Sequence, residues 1–346
     1  VAAELTIEYL DPSTPAAPSG WSDFVHSGGL HPVWHWPVVR AEALTRRRDL
    51  SVGLIRDGSS VTGLVAARLR GVRGRPVVVD VEAPGSSAVP GIALSGGIPA
   101  SLGGDPRGPA YFGAAVRALE STLRREFGRR VALVCYRQVY AEDLPQVMRG
   151  PAVVRPGAPV SVLRNDFADY DGYLRTLRKS RRVDQRRLVR RLDDDETLRI
   201  RLGPTPDDLD VLEVARLTDA TSRRNHRRRW PPRRTAPPDL LRAMVAVPDV
   251  QVLSYRDAAG GLVGCGLTFD HPRAPLSGPW GARTPDDGGR SGLWFDQMAR
   301  VVRWSIETGH AALIGGKGLS ALKRDLGFVA APQWTVVRRL PARTGR

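Results

Sequence analysis

The stretch 175–192, RTLRKSRRVDQRRLVRRL, carries nine Lys and Arg in eighteen positions. Read as a helix, it has an apolar stripe that begins with Tyr170, Tyr173, Leu174 and Leu177 and resumes at Leu188 and Leu192. Between them the same phase holds Arg181 and Asp184. Opposite charges one turn apart in an apolar stripe have three readings. The pair is buried and mutually satisfied, or it faces a cleft that admits a polar ligand, or the helix leaves the core there and is wetted. The remaining cations, including Arg178, Lys179, Arg182, Arg186, Arg187, Arg190 and Arg191, repel one another unless acids or phosphates lie near.

A second basic cluster, SRRNHRRRWPPRR at 222–234, holds seven Arg in thirteen residues, with His226 and Trp230 among them. Arginines interleaved with aromatics suit a surface for phosphates or stacked bases. The other reading is a surface loop whose arginines reflect composition. No Ser/His/Asp order or nucleophilic cysteine is apparent. His26, His31, His35, His226, His271 and His310 are scattered. Cys135 and Cys265 are far apart and form no metal constellation; two buried thiols in a reducing compartment are expected. Cys265 sits in the alternating run LVGCGLTF and reads as a core strand residue.

The elements that must position these residues are bounded by composition. The chain has 346 residues, 42% of them hydrophobic, enough for two domains of ordinary size. Its formal net charge is +16, of which residues 1–155 carry +4 and residues 156–346 carry +12. A basic surface favours anionic partners: RNA, phosphate-bearing cofactors, nucleotide-linked sugars or acidic membranes. Lysine occurs only as Lys179, Lys317 and Lys323. Arginine dominance beside abundant Ala, Gly and Pro resembles a coding bias, so the three retained lysines stand out. No apolar run reaches the roughly 18–20 residues needed to span a bilayer. The first residues lack a secretory pattern, so a cytoplasmic location and no membrane span are expected.

The first half reads as mixed α and β. DLSVGLIRDGSSVTGLVAARLRG is a hairpin around RDGSS, and RPVVVDVEAP is a strand. GPAYFGAAVRALESTLRREFG is an amphipathic helix with Phe112, Val116, Leu119 and Leu123 on one face. RRVALVCYRQV is a buried strand, and RGPAVVRPGAP at 149–159 reads as a linker or crossover. The second half repeats the grammar. PVSVLRND is a strand, and DYDGYLRTLRKSRRVDQRRLVRRLDDD is one long helix. Another hairpin, DVQVLSYRDAAGGLVGCGLTFD, is followed by the helix SGLWFDQMARVVRWSIETG, the strand HAALIGG, the helix GLSALKRDLG and the strand PQWTVVRRLP. The repeated pattern suggests an internal duplication, with domains at 1–155 and 156–346.

Three segments, taken in order, resemble the Fem-type branch of the GNAT-like N-acyltransferases. DYDGYLRTLRKSRRVDQRRLVRRL is similar to that family's Tyr-x-x-Leu-basic-x-x-Arg-Arg-x-x-x-Arg helix. GLTFDHPRAPLSGPWGA is similar to its strand pair leading to an aromatic–Gly position, here Trp280. LIGGKGLSALKRDLGFVAAPQW matches its strand, Gly pair, short helix and Lys-x-x-x-Gly-Phe. The first half, with its aromatic start HPVWHW, resembles the family's degenerate amino-terminal repeat. The implied fold is α/β (α+β): tandem GNAT-like domains, each a mixed, mostly antiparallel sheet flanked by helices.

The resemblance implies direct transfer of an acyl group to an amine or hydroxyl of a small acceptor, without a covalent enzyme intermediate and with no tightly bound cofactor or metal. The donor is aminoacyl-tRNA or acyl-CoA. The lysine thought to steady the oxyanion in such enzymes matches Lys323, with Asp184 orienting the attacking group. Arg181, Trp280 and Lys317 are implied for substrate, and Arg182, Arg186, Arg227 and Arg228 for donor phosphates. The place of the GNAT cofactor loop is RTPDDGGRSGLWF, with Gly288, Gly289, Arg290 and Ser291, at a spacing that departs from the family pattern. Three readings therefore stand: an aminoacyl-tRNA-dependent transferase with tRNA as partner, an acyl-CoA-dependent N-acyltransferase, and a non-catalytic RNA-binding protein on the same scaffold.

Overall fold

The computed structural model describes residues 5–45, 49–72, 75–95, 109–225 and 235–340. The elements run β1 (Leu5–Leu10), α1 (Trp21–Ser27), α2 (Trp36–Thr45), β2 (Leu50–Asp57), β3 (Ser60–Val72), β4 (Arg75–Val81), β5 (Ile92–Leu94), α3 (Pro109–Phe127), β6 (Leu133–Val139), α4 (Leu144–Val147) and β7 (Ala152–Pro156). They continue with β8 (Val160–Arg164), α5 (Tyr170–Thr176), α6 (Lys179–Asp193), β9 (Leu198–Pro204), α7 (Val211–Asn225), α8 (Pro238–Val245), β10 (Val250–Asp257), β11 (Leu262–Phe269) and β12 (Leu276–Ala282). The last are α9 (Leu293–Glu307), β13 (Ala312–Gly316), α10 (Ser320–Arg324), β14 (Val329–Ala331) and β15 (Trp334–Arg339).

The chain divides into two compact units: residues up to Val160 together with those from Ala330 onward, and Ser161–Val329. The sequence reading groups everything after residue 155 into the second domain. In the structure β15 lies between β6 and β7 in the first sheet, whose order is β1-β2-β3-β4-β6-β15-β7 with β5 also on β3. The second sheet has the order β14-β8-β13-β12-β11-β10-β9. Each sheet contains an antiparallel meander, β2–β3–β4 or β10–β11–β12. Each meander is followed in the chain by a helix, α3 or α9, and then by a strand parallel to the meander's last one, β6 or β13. Both sheets are mixed and flanked by helices, as expected for a tandem α/β protein.

The first unit is packed as its periodicity predicts. Phe112, Val116, Leu119 and Leu123 of α3 are buried with Val65, Val79, Val134 and Val336 of the sheet. Segment 149–159 is not merely a crossover. Val153 and Val154 pair with Val337 and Val336, so β7 is an outer strand that β15 makes possible. The second unit buries Leu163, Tyr173, Leu174, Leu177, Val301 and Phe328 in one cluster, and Leu192, Leu253, Tyr255, Val263 and Leu293 in another.

The long helix expected over 169–195 is two helices. Asp169 caps α5 by accepting from the Gly172 N–H at 2.6 Å. Leu177 (ψ 152°) and Arg178 (ψ 143°) then adopt extended backbone before α6 begins. The break re-phases every residue after it. The inward face of α6 is Gln185, Val189 and Leu192.

Candidate functional site

The second sheet opens at its centre. β12 and β13 are parallel neighbours, yet their register holds at Leu276–Ile314 alone. A β-bulge borders the opening on each side. On β12, Gly278 and Pro279 together oppose Leu267 between the Gly266–Trp280 and Thr268–Ser277 pairs; on β13 the register with β8 shifts between Ile314 and Gly316. Pro279 has no N–H to give its neighbour, which places the bulge there. Ser277, Gly278, Pro279 and Trp280 are partly exposed although β12 is an interior strand, whereas β11 beside it is buried throughout. Trp280 stands edge-on to Tyr255, with ring centroids 6.0 Å apart at 84°. Gly266 makes room for it: a Cβ there would come within 3.0 Å of the Trp280 ring and 2.4 Å of the Gln297 amide.

Beyond β13 the chain turns through Gly315–Leu319 into α10. Gly316 (φ 70°), Gly318 (φ 88°) and Leu319 (φ 50°) all lie in the left-handed region. A non-glycine residue there is strained. Lys323 accounts for the shape. It is 5% exposed, and its Nζ donates to the carbonyls of Gly315 (2.5 Å), Gly318 (3.0 Å) and Gly316 (3.4 Å). Gly315 is needed for the approach, since a Cβ would meet the Phe328 ring at 2.8 Å and the Lys323 stem at 3.4 Å. In a trans peptide the N–H points opposite to the C=O. The N–H ends of the peptides 315–316, 316–317 and 318–319 therefore face away from the ammonium. Lys317 is part of this turn and is half-buried.

Arg181 reaches the same corner. It pairs with Asp325, just past α10, at 3.5 Å, and its guanidinium lies 5.0 Å from the centroid of the Phe295 ring. The pairing with Asp184 is not formed. Asp184 is exposed and its side chain has no hydrogen bond among the described residues, because the break before α6 turns it outward; the inward polar side chain is Gln185, which donates to the Phe295 carbonyl at 3.4 Å. The self-repulsion of α6 is relieved in part by contacts from elsewhere in the fold. Arg186 pairs with Asp171 at 2.8 Å, and Arg182 donates to the Arg175 carbonyl at 3.4 Å. Lys179, Arg187 and Arg190 form an exposed stripe opposite the buried face, with no partner among the described residues. Arg227 and Arg228, with His226 and Trp230, lie outside the described residues.

The loop before α9 is closed on itself. The N–H groups of Asp287 and Gly289 donate to the Thr284 carbonyl at 3.0 and 2.8 Å, and that of Gly288 donates to the Pro285 carbonyl at 3.1 Å. Arg290 pairs with Asp195 at 2.7 Å and donates to the Thr197 hydroxyl and to the carbonyls of Gly288 and Gly289. Donation from Arg290 and Thr197 holds the Asp195 carboxyl down at about 2. Arg191 donates to the Ser291 carbonyl at 2.9 Å, tying α6 to the loop.

One buried network was not anticipated. Asp296, on the inner face of α9, accepts from the Tyr255 hydroxyl at 2.8 Å and from Arg300 at 2.7 Å, and Arg300 also pairs with Asp193 at 2.5 Å. Burial pushes the Asp296 carboxyl up, while Arg300 and then Tyr255 pull it back. The spacing Asp296–Arg300 in FDQMAR is an i,i+4 pair inside an apolar helix, a signal present in the sequence. The network fixes α9 against β10 and α6 beneath the open seam.

Both cysteines are buried and free, and burial pushes each thiol up to about 12. The folded protein should therefore resist iodoacetamide at neutral pH, and denaturation should expose two reactive thiols. Intact mass before and after denaturation checks this; rapid modification of the native chain would contradict it.

No helix among the described residues is long and apolar enough to cross a membrane. No protein-family model matches the sequence, and no curated protein matches it. Solved structures do. L-PGS from Bacillus licheniformis superposes with a TM-score of 0.61 at 12% identity, covering 93% of this chain and 92% of that one. The carboxy-terminal domain (DUF2156) of a putative lysylphosphatidylglycerol synthetase from Agrobacterium fabrum gives 0.58 at 11% identity, covering 92% and 89%. FemX gives 0.59 at 10% identity, covering 95% and 96%. Over nearly its whole length, the chain shares the fold of L-PGS, the DUF2156 domain and FemX.

Proposed function

We propose that this protein transfers an aminoacyl group from aminoacyl-tRNA to an amine or hydroxyl of a small acceptor. The observation that carries the reading is the opened β12–β13 seam with the Lys323-clamped turn beside it. For an amine acceptor, the nitrogen attacks the ester carbonyl of the donor. The C–N bond forms, the ester C–O bond breaks, and the amine's proton ends on the released ribose oxygen. Negative charge gathers on the carbonyl oxygen midway. The N–H ends of the clamped peptides, with the lysine charge behind them, receive that oxygen at little reorganisation cost. Trp280 lines the seam and packs against the acceptor, and Arg181 and Lys317 hold its anionic groups. Asp184 on the outer side of α6 meets the attacking group only if the acceptor extends past that helix. The reaction belongs in the cytoplasm, where charged tRNA is found.

Two observations favour a tRNA donor over acyl-CoA. The N–H groups of Asp287, Gly288 and Gly289, which a pyrophosphate would need, are already given to the loop's own carbonyls. The exposed stripe of Lys179, Arg187 and Arg190, next to Arg182 and Arg186, suits a phosphate backbone. Thermal unfolding with charged tRNA, uncharged tRNA, CoA and acyl-CoA tests this. Charged tRNA at about 100 times its Kd should stabilise the protein by about 2.7 kcal/mol, read as a rise in Tm of a few degrees, and CoA should leave Tm unchanged. A shift with acyl-CoA alone would reverse the assignment of the donor. RNA affinity without transfer to any amine would support the binding-protein reading instead.

A further inference from the structure

The first unit contains a cavity of about 530 Å³ lined by four arginines, Arg124, Arg149, Arg338 and Arg339, and the turn Gly150–Pro151. Such a volume is in the range of small-molecule sites. Arg338 carries the argument. It is 9% exposed, and its Nε and Nη1 are buried without a hydrogen bond. Among the described residues its one counter-charge is Glu120, 3.4 Å from Nη1 and outside hydrogen-bond geometry. Glu120 is itself shared, since it accepts from the Tyr136 hydroxyl at 2.9 Å. A guanidinium has five N–H donors, and leaving them unmet in a protein interior is costly. Nothing in β15 requires that cost, because the alternate positions Val336 and Leu340 on the same face are apolar and buried.

The other arginines are held in place around it. Arg124 donates to the carbonyls of Gly128, Val131 and Leu340, which fixes the rim. Arg149 donates to Gln146 at 2.6 Å and lies against Gly113, where a Cβ would come within 2.5 Å of its guanidinium. Helix α3 thus has a glycine where Arg149 crosses it. Among the described residues, Arg149, Arg338 and Arg339 stand against the one carboxylate of Glu120, which leaves an excess positive charge at a concave site.

We propose that this cavity is a binding site for a small phosphorylated anion, with a diphosphate as the simplest member. Guanidinium groups meet phosphate oxygens in paired, directional hydrogen bonds, and a doubly or triply charged anion matches the surplus here. The site is a local concavity of small-molecule size, whereas a nucleic-acid backbone is served by an extended stripe. The proposal is independent of the acyl-transfer reading, whose residues all lie in the second unit.

Calorimetry of the full-length protein with inorganic pyrophosphate, at constant ionic strength, tests the site. Saturable binding is expected, weakened at least about tenfold by Arg149→Ala and by Arg338→Gln and left intact by Lys323→Met. Arg149→Ala removes a partly exposed group, so it guards against misfolding of the Arg338 variant; circular dichroism of each variant checks the fold. Absence of saturable pyrophosphate binding overturns the proposal. So does equal binding by wild type and Arg149→Ala, or binding of a short RNA duplex that Arg149→Ala weakens while pyrophosphate does not bind.

Discussion

Lys323→Met is expected to lower aminoacyl transfer by roughly 10²–10³-fold, the scale of losing an oxyanion donor, because the N–H groups that receive the oxygen lose the ammonium that holds and polarises their peptides. The effect should fall on kcat, with KM for charged tRNA changing little, because the ammonium faces three carbonyls of its own turn and not the surface where the donor's phosphates would lie. Methionine keeps the length of the stem and removes the charge. The carbonyls of Gly315, Gly316 and Gly318 then lose their donor, and leaving such groups unsatisfied costs about 1–3 kcal/mol of stability. A loss of stability alone does not produce the expected kinetics. Val301→Ala, a cavity variant in the core of the same unit, provides the comparison, since Val301 is fully buried on α9 and is not part of the turn. If Val301→Ala lowers Tm as much as Lys323→Met and also lowers kcat as much, the lysine is only a structural clamp. If kcat separates the two at matched stability, the clamp has a chemical purpose.

The parts of this fold that were legible in the sequence are those set by short-range pattern. The stripe Phe112, Val116, Leu119 and Leu123 predicts α3 because a helix with one apolar face has one way to bury it. The RDGSS and RDAAGG hairpins form as their turn chemistry predicts. The break between α5 and α6 was not legible, because Leu177 and Arg178, which take extended backbone, include neither Gly nor Pro. That two-residue interruption is why Gln185, and not Asp184, points inward. β7 was hidden by its Gly and Pro neighbours, and its partner β15 lies some 180 residues away along the chain. In the candidate site, Lys323, Lys317, Arg181 and Trp280 were identified as residues, but their arrangement was not. Arg181 is answered by Asp325, and Arg290 by Asp195, at sequence separations no local pattern encodes. The charge run that looks self-repelling along the sequence is met by acids of other elements at Arg181 and Arg186, while Lys179, Arg187 and Arg190 stay exposed as a stripe.

Cutting the chain at the domain boundary that the sequence suggests should leave the first piece without its native sheet, whereas residues 156–346 keep every strand of the second. A fragment of residues 1–155 lacks β15, which in the intact protein pairs with Leu133–Val139 on one side and Ala152–Pro156 on the other. Without it, β7 has no neighbour and β6 becomes an edge with an unpaired ladder, a template for aggregation. The core loses Val336 and Leu340, each fully buried and worth about 1.5–3 kcal/mol. Glu120 loses Arg338, the strongest positive charge on it, and Ala88 loses the donation from Gln333 at 3.1 Å. Because a domain is stable by only about 5–15 kcal/mol, these losses together are enough to unfold it. The fragment should therefore lack a sharp thermal transition by near-ultraviolet circular dichroism and should aggregate on concentration. A fragment 1–155 that melts in one cooperative step, with native-like aromatic signals, would mean that β15 is dispensable to the first sheet. Its place between β6 and β7 would then be an addition to a unit already complete.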